Sequence, residues 1–358
     1  MLHSRFQNDK VPTLKLNELQ IRNRDLVEEK IEQGSYEFES IDCAICDSNG
    51  FETLAQKDRY GLNMTTVICQ NCGLVQTNPR MTQASYNSFY NEEYRPLYVG
   101  KDKPTTLFFQ RQYERGQVMY QFLKDNNALN FDKAQPFVLE IGCGAGGILQ
   151  FFKEQGFKVK GIDLGASYVD YGVKEKGLDL ETGFLKDLKL DEQPDLVVYS
   201  HVVEHLLDPS EEMSLVRKVL SPRGYLYIEV PGIRNLKKPY KHDLLRYLQN
   251  AHTYHFTKVS LDNLLQRNGY DLVVSTEFVK GIYKPAQIEL NRSFKNDFAE
   301  TMGYLTKLEE ERSAFPFYPY SKSPYWIKTG LKNVVLSTLE SIGVRKYIRR
   351  FRLMLSGK

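Results

Sequence analysis

The sequence has no run of about 18 apolar residues, so no segment is long and greasy enough to cross a bilayer as a helix. Met1 to Lys10 lacks an apolar h-region, and no secretory signal is visible there. Neither sign of charge dominates: the formal net charge is +3, which excludes a global polyanion-binding character. There is no internal repeat and no low-complexity tract. Cysteine is scarce and odd in number: Cys43, Cys46, Cys69, Cys72 and Cys143. Two CxxC pairs and one extra cysteine read as metal binding in a reducing compartment, not as a disulfide scaffold. The expected location is therefore the cytoplasm.

What is present is the composition of an ordinary globular protein, and 358 residues are enough for two or three units. Residues 1–35 are polar with mixed charge and read as a solvated arm or helix. Residues 36–80 hold both CxxC pairs with little periodic apolar content, a small metal-stabilised module. Residues 81–133 are rich in tyrosine and phenylalanine; Phe108 to Leu123 has helical spacing, with Tyr94-Arg95 ahead of it in a loop.

Residues 134–292 alternate short apolar runs with helical segments. Strands are expected at Phe137 to Ile141, Val159 to Ile162, Leu196 to Tyr199, Tyr225 to Val230 and Leu272 to Thr276. A final strand is expected at Ala286 to Leu290, after a break at Gly281 and Pro285. Helices are expected at Ile148 to Gln155, Ser167 to Lys176, Glu211 to Leu220 and Leu261 to Asn268, with Gly156, Gly177 and Gly269 ending three of them. This alternation predicts an α/β fold with βαβ crossovers and a parallel sheet.

The tail, residues 293–358, reads as a helical basic extension. After an aromatic linker at Phe315 to Tyr320, residues Ile327, Leu331, Val334, Val335, Leu339 and Ile342 form one apolar helical face. Arg345, Lys346, Arg349, Arg350 and Arg352 then alternate with Ile348, Phe351 and Leu355. That pattern fits either a packing helix or peripheral contact with the anionic inner face of a membrane.

The run Glu140-Ile141-Gly142-Cys143-Gly144-Ala145-Gly146-Gly147 ends a strand and opens a helix, where glycines let a ligand approach the backbone closely. Gly142, Gly144 and Gly147 also satisfy GxGxxG, so the glycines alone do not separate a nicotinamide dinucleotide from S-adenosylmethionine. Glu140 stands where an acid can face an ammonium group. Asp163 closes the next strand, where a carboxylate accepts hydrogen bonds from both ribose hydroxyls. After the fourth strand comes His201-Val202-Val203-Glu204-His205-Leu206-Leu207-Asp208-Pro209.

These segments resemble class I S-adenosylmethionine-dependent methyltransferases over residues 134 to 290. The resemblance implies a Rossmann-like, seven-stranded, mostly parallel sheet whose last strand is antiparallel. It implies cofactor contacts from Glu140, Gly142, Gly144, Gly146 and Asp163, with Asp187 and Leu188 near the adenine and Ser200 and His201 near the methionine end. Cys143 reads as a small buried residue.

Cys43-Ala44-Ile45-Cys46 and Cys69-Gln70-Asn71-Cys72-Gly73, separated by 22 residues, supply four thiolates, the set a structural zinc ion takes. Such a closed site leaves no position for catalysis. The stretch between the knuckles carries no basic stripe, which argues against nucleic acid. The string Cys72-Gly73-Leu74-Val75-Gln76-Thr77-Asn78-Pro79-Arg80, with Tyr90 and Tyr94-Arg95, resembles the zinc region of methyltransferases from bacterial surface-polysaccharide and deoxysugar pathways. That implies a sugar acceptor, either a nucleotide sugar or a glycan terminus, for O- or C-methylation.

His201, His205 and His255 are the candidate bases, with Glu204 beside them. A helical 201–205 segment would put His201 and His205 on one face, a pattern that also fits a divalent metal. Related methyltransferases carry an ExxEH-type metal motif here, in which this chain has His201 in place of the first acid. The loop Arg234-Asn235-Leu236-Lys237-Lys238-Pro239-Tyr240-Lys241 suits a phosphate-bearing acceptor. The alternatives are another acceptor, such as RNA or a lipid precursor, and a non-catalytic zinc adaptor with an inactive α/β domain. Oligomeric state is not legible.

Overall fold

The computed structural model describes residues 1–99, 105–287 and 294–314. Residues 1–309 form one compact unit; of the second unit, 310–358, only residues 310–314 are described. The aromatic linker, the apolar face Ile327 to Ile342 and the basic segment after it lie outside the described residues. Among those described, no helix is long and apolar enough to cross a membrane.

The chain opens with α1 (Glu18–Glu32), entered through a capping box in which the Asn17 side chain accepts from Gln20 N and the Gln20 side chain accepts from Asn17 N. A two-residue strand β1 (Phe38–Glu39) follows, then the antiparallel strands β2 (Phe51–Lys57), β3 (Asn63–Cys69) and β4 (Val75–Thr77), and β5 (Arg80–Met81), which pairs with β1. Helices α2 (Gln83–Glu92), α3 (Tyr94–Val99) and α4 (Thr106–Asp125) lead to the α/β region. Tyr94 and Arg95, expected in a loop, therefore open a helix. Pro96 sits in its first turn, where a missing N–H costs nothing.

The α/β region runs β6 (Phe137–Ile141), α5 (Gly147–Glu154), β7 (Lys158–Asp163), α6 (Ala166–Lys176), β8 (Leu180–Thr182), β9 (Leu196–Ser200), α7 (Pro209–Val219) and β10 (Tyr225–Glu229). It continues through α8 (Leu244–Tyr247), β11 (Tyr254–His255), α9 (Lys258–Arg267), β12 (Tyr270–Ser275), β13 (Lys280–Pro285) and α10 (Phe298–Ala314). Seven strands form one sheet in the order β12-β13-β10-β9-β6-β7-β8, and β13 is antiparallel to both its neighbours. This is the Rossmann-like sheet expected. All five residues of β6 are buried, because helices cover both faces of a parallel sheet. Gly156, Gly177 and Gly269 all take positive φ after α5, α6 and α9, as expected of C-terminal glycines.

The final strand is shifted. It spans Lys280–Pro285, not Ala286 to Leu290, and the expected break at Gly281 lies inside it. Gly281 pairs with Ile228 on one side and Ser275 on the other, and the Tyr283 ring fills the space a side chain would take, 2.4 Å from where its Cβ would be. Pro285 ends the strand. Ala286 is outside it and residues 288–290 are not described.

The cysteine-bearing segment is better supported than its composition indicates. β11 pairs antiparallel with β4, so the sheet β11-β4-β3-β2 is completed by a strand from far along the chain. Leu54, Ala55, Ile68 and Val75 from this sheet are buried with Ile233, Leu236, Leu244, Leu248, Leu305 and Leu308. The module has a core, more than half of which comes from residues after 230.

Candidate active site

The glycine loop sits at the C-terminal end of β6. Gly142, Gly144 and Gly146 all have positive φ. A Cβ on Gly142 would lie 2.2 Å from Val202 Cγ2, so only glycine fits against the loop that follows β9. Gly142 N and Cys143 N donate to Ile162 O at 2.8 and 3.1 Å, tying the loop to β7. Asp163 accepts from Gly144 N at 2.8 Å and from Gly165 N at 2.6 Å, and Arg95 Nη2 approaches it at 3.6 Å. Gln112 of α4 donates to Cys143 O at 3.0 Å.

Glu140 is 1% exposed, and its Oε2 has no hydrogen-bond partner among the described residues. Burial raises its carboxyl well above the usual range, the Asp163 charge adds to this, and Arg115 opposes it. A buried acid with one oxygen short of a donor, beside the glycine loop, is of the chemical type that takes the ammonium end of S-adenosylmethionine. Ser200 is half-buried and its hydroxyl accepts from Arg115 Nη1 at 3.4 Å. Asp187, exposed, and Leu188, half-buried, lie in the turn after β8; neither hydrogen-bonds the glycine loop among the described residues. Burial raises the Cys143 thiol well above its usual value, in keeping with a packing role.

The histidines converge on Glu204. The expected helical face from 201 to 205 does not form: His201 has φ +59 and only Val203–His205 make a 3-10 turn. The left-handed residue nonetheless turns the His201 ring back, placing Nδ1 3.5 Å from Glu204 Oε1. His205 Nε2 stands 3.9 Å and His252 Nε2 4.0 Å from the same oxygen. Glu204 is 1% exposed, and among the described residues neither of its oxygens accepts a hydrogen bond. His205 Nδ1 lies 2.9 Å from Ala251 O, and a carbonyl only accepts, so Nδ1 carries the proton and Nε2 is free to take one. Burial lowers the His205 pKa, with Glu204 partly opposing, so the ring is neutral at neutral pH. His252 is held well below the usual range by burial.

Sequence reasoning passed over His252, although it stands three residues before His255. Its partner Glu204 is 48 positions away, and no local pattern marks it. His255 is 1% exposed and lies in β11 opposite Val75; neither ring nitrogen has a partner, and burial pushes it down to about 3. Glu204, His205 and His252 present ligand atoms within 4.8 Å of one another, a set that a divalent ion could use. Gln249 Nε2, however, donates to His252 Nε2 and occupies that lone pair.

An aromatic wall flanks the cluster. Tyr90 stacks on Tyr94 at 4.2 Å and Tyr94 on Tyr98 at 5.4 Å between centroids. Both Tyr90 and Tyr94 meet His205 edge-on, at 6.1 and 5.7 Å. The basic loop does not supply all the free charge expected of it: Arg234 donates to Asp297 at 2.6 Å and to Thr301 at 3.0 Å, an internal ion pair.

The four knuckle cysteines come together, with ligand sulfurs within 4.8 Å of one another; Cys43 and Cys72 are 3.4 Å apart, Cys46 and Cys69 3.5 Å. Gly73 N donates to Cys69 O at 2.9 Å, and a Cβ on Gly73 would sit 2.5 Å from the Asp297 backbone. The Cys69 sulfur pushes the Cys43 thiol up to about 12. Four sulfurs this close cannot all ionise without a cation, and the geometry fits tetrahedral zinc.

Residues 111–275 match the family model described as a methyltransferase domain. An uncharacterized methyltransferase of Staphylococcus carnosus is 29% identical over 169 residues, 46% of this chain and 76% of that protein. A ubiquinone biosynthesis O-methyltransferase of Rickettsia bellii is 32% identical over 111 residues; the match spans 29% of this chain and only 44% of that protein. The solved structure of a magnesium protoporphyrin IX methyltransferase from Synechocystis is 17% identical, covers 56% of this chain and 98% of its own, and has a TM-score of 0.40, which adds nothing to the topology already described. With the glycine loop, Asp163 and the seven-stranded sheet, the family match leads to one conclusion: this chain carries a class I S-adenosylmethionine-dependent methyltransferase domain.

Proposed function

We propose that this domain methylates a sugar, with His205 accepting the proton released by the acceptor. The pinned tautomer of His205 carries this reading: Nδ1–H is committed to Ala251 O, and Nε2 is neutral and unprotonated beside the strand ends. S-adenosylmethionine, when bound, supplies a methyl group on a sulfonium, which leaves as a thioether once the acceptor's electron pair takes the methyl carbon. His205 Nε2 removes the acceptor proton, and the Glu204 carboxylate, 3.9 Å away, stabilises the imidazolium that results. Gln249 on His252 favours this role over a bound metal, because it occupies one lone pair of the Glu204, His205 and His252 set.

The N-terminal resemblance to sugar-pathway methyltransferases and the tyrosine wall beside His205 support a sugar acceptor. Glu140 and Asp163 would hold the cofactor's ammonium and ribose, and the knuckle cysteines a structural zinc. The ubiquinone O-methyltransferase relative favours a second reading, a phenolic acceptor. His205→Ala should lower turnover roughly 10²-fold or more while leaving S-adenosylmethionine affinity within twofold. Unchanged turnover would remove His205 as the base. Assays with nucleotide sugars and with a catechol in parallel separate the two acceptors.

A further inference from the structure

We propose that Arg59 is the anion-recognition residue of the acceptor site, taking a phosphate or diphosphate carried by the glycosyl substrate. This rests on the sugar-acceptor reading above. Arg59 lies in the turn between β2 and β3, in the cysteine-bearing module rather than in the methyltransferase domain. Its backbone N–H donates to Leu248 O at 2.9 Å, and its Nη2 donates to Tyr60 Oη at 2.7 Å and to Gln249 Oε1. Its Nε–H is buried and has no acceptor among the described residues.

Among the described residues the guanidinium lacks a counterion. Arg5, Arg80, Arg234 and Arg267 each meet a carboxylate within 4.0 Å. Among the described residues, no carboxylate lies that close to Arg59. Its neighbour Asp58 turns away, accepting from the backbone N–H groups of Tyr60, Leu62 and Asn250. A partly buried cation with an idle N–H and no anion is costly to hold, and a ligand anion would offset that cost.

Arg59 also stands at the end of the tyrosine wall. Its Cζ lies 5.2 Å from the Tyr98 ring centroid; Tyr98 stacks on Tyr94, and Tyr94 touches His205 edge-on. Tyr98 is 45% exposed, so this face is open to a ligand. Tyr94 is 8% exposed and stacked by Tyr90 and Tyr98, so a sugar whose reacting group lies at His205 would pass the exposed edge of the wall at Tyr98 and bring its phosphate toward Arg59. Guanidinium is suited to phosphate because its donors are planar and permanently charged. Gln249 ties the two ends together, since it accepts from Arg59 and donates to His252.

The shared chemistry is a phosphate on the acceptor, which either a nucleotide sugar or a lipid-linked sugar would carry. Calorimetry on the full-length, zinc-loaded chain with S-adenosylhomocysteine present can titrate UDP, geranyl diphosphate and uridine. At least one diphosphate should bind roughly tenfold or more tighter than uridine; a preference for UDP marks a nucleotide source, and for geranyl diphosphate a lipid source. R59A should weaken the preferred diphosphate about tenfold while S-adenosylhomocysteine affinity stays within twofold. R59Q, which keeps a donor for Tyr60 and Gln249 but no charge, should do the same and decides the matter if R59A loses zinc or folds poorly. Diphosphates no better than uridine, or wild-type binding by R59Q, would overturn the proposal. In that event a His205→Ala defect in sugar methylation would leave the function above standing.

Discussion

The glycine loop and the histidine cluster lie at adjacent strand ends of one sheet, yet they are held in place differently. The loop is tied by bonds between near neighbours in sequence: Gly142 and Cys143 to Ile162, Gly144 to Asp163. The cluster is tied by bonds between residues far apart in the chain, up to 175 positions. Thr253 N donates to Glu204 O at 2.9 Å, Thr77 Oγ1 donates to His252 O at 3.0 Å, and Tyr86 Oη donates to Ala251 O at 2.8 Å. His255 is itself part of the knuckle sheet. The difference implies that the cofactor end can form within the α/β region and the helices leading into it, while the proton-accepting end depends on the cysteine module.

The largest test of that contrast is Cys69→Ser. Elemental analysis should find about one zinc per chain in the wild type and none in the variant. A structural zinc contributes on the order of 10 kcal/mol to the fold that binds it. The sheet β11-β4-β3-β2 should loosen, opening residues 248–255 to protease and abolishing methyl transfer, while S-adenosylhomocysteine still binds. A metal-free wild type that resists protease, or a variant that loses cofactor and acceptor functions equally, would erase the distinction between the two ends.

Asp163→Ala addresses the cofactor end. Removing a carboxylate that pairs with ribose hydroxyls should weaken S-adenosylmethionine by about 2–3 kcal/mol, read by calorimetry. The knuckle zinc should stay bound. Asp163 also accepts from Gly144 N and Gly165 N, so Asp163→Asn, which keeps a carbonyl for one of them, should lose less. Wild-type affinity in the alanine variant would remove Asp163 from the cofactor site.

His255→Leu is a finer probe of the module's grip. The unfolded imidazole titrates near 6.5 and the folded one, by burial, at about 3. Between those values the unfolded chain takes up a proton that the folded chain refuses. Stability from this group is therefore complete above pH 6.5 and is lost as pH falls toward 3, by at most about 1.4 kcal/mol per pH unit. His205 and His252, also lowered by burial, act in the same direction. Urea unfolding from pH 7 to 4.5 should show a shallower acid loss in His255→Leu. An unchanged slope would mean that His255 is not enclosed as described.

The parts of this molecule that could be read in advance are those whose causes are local. Strands β6, β9 and β10 are mostly apolar runs bounded by turns, β7 alternates around Val159 and Ile162, and α7 announces itself through Asp208, which caps Glu211 N at 2.8 Å, and Pro209 in its first turn. β8 escaped because it has three residues and only Leu180 is buried. β13 escaped because Gly281 and Pro285 look like breakers until the Tyr283 ring is seen to cover the glycine. His252 and Arg59 escaped because neither belongs to a short motif; each matters through side chains about 50 to 190 positions away.

By itself, the sequence determined a glycine-rich turn after a buried strand, an acid closing the next strand, and four thiolates in two knuckles. In each case a backbone conformation or a ligand set is encoded within a few residues, and nothing distant is needed to recognise it. Only the tertiary structure decided that β11 pairs with β4, that three imidazoles surround one buried carboxylate, and that a tyrosine wall links them to an arginine with no counterion among the described residues. Those features rest on burial and on partners brought together by folding, and burial is a property of the packed chain that no stretch of sequence carries alone.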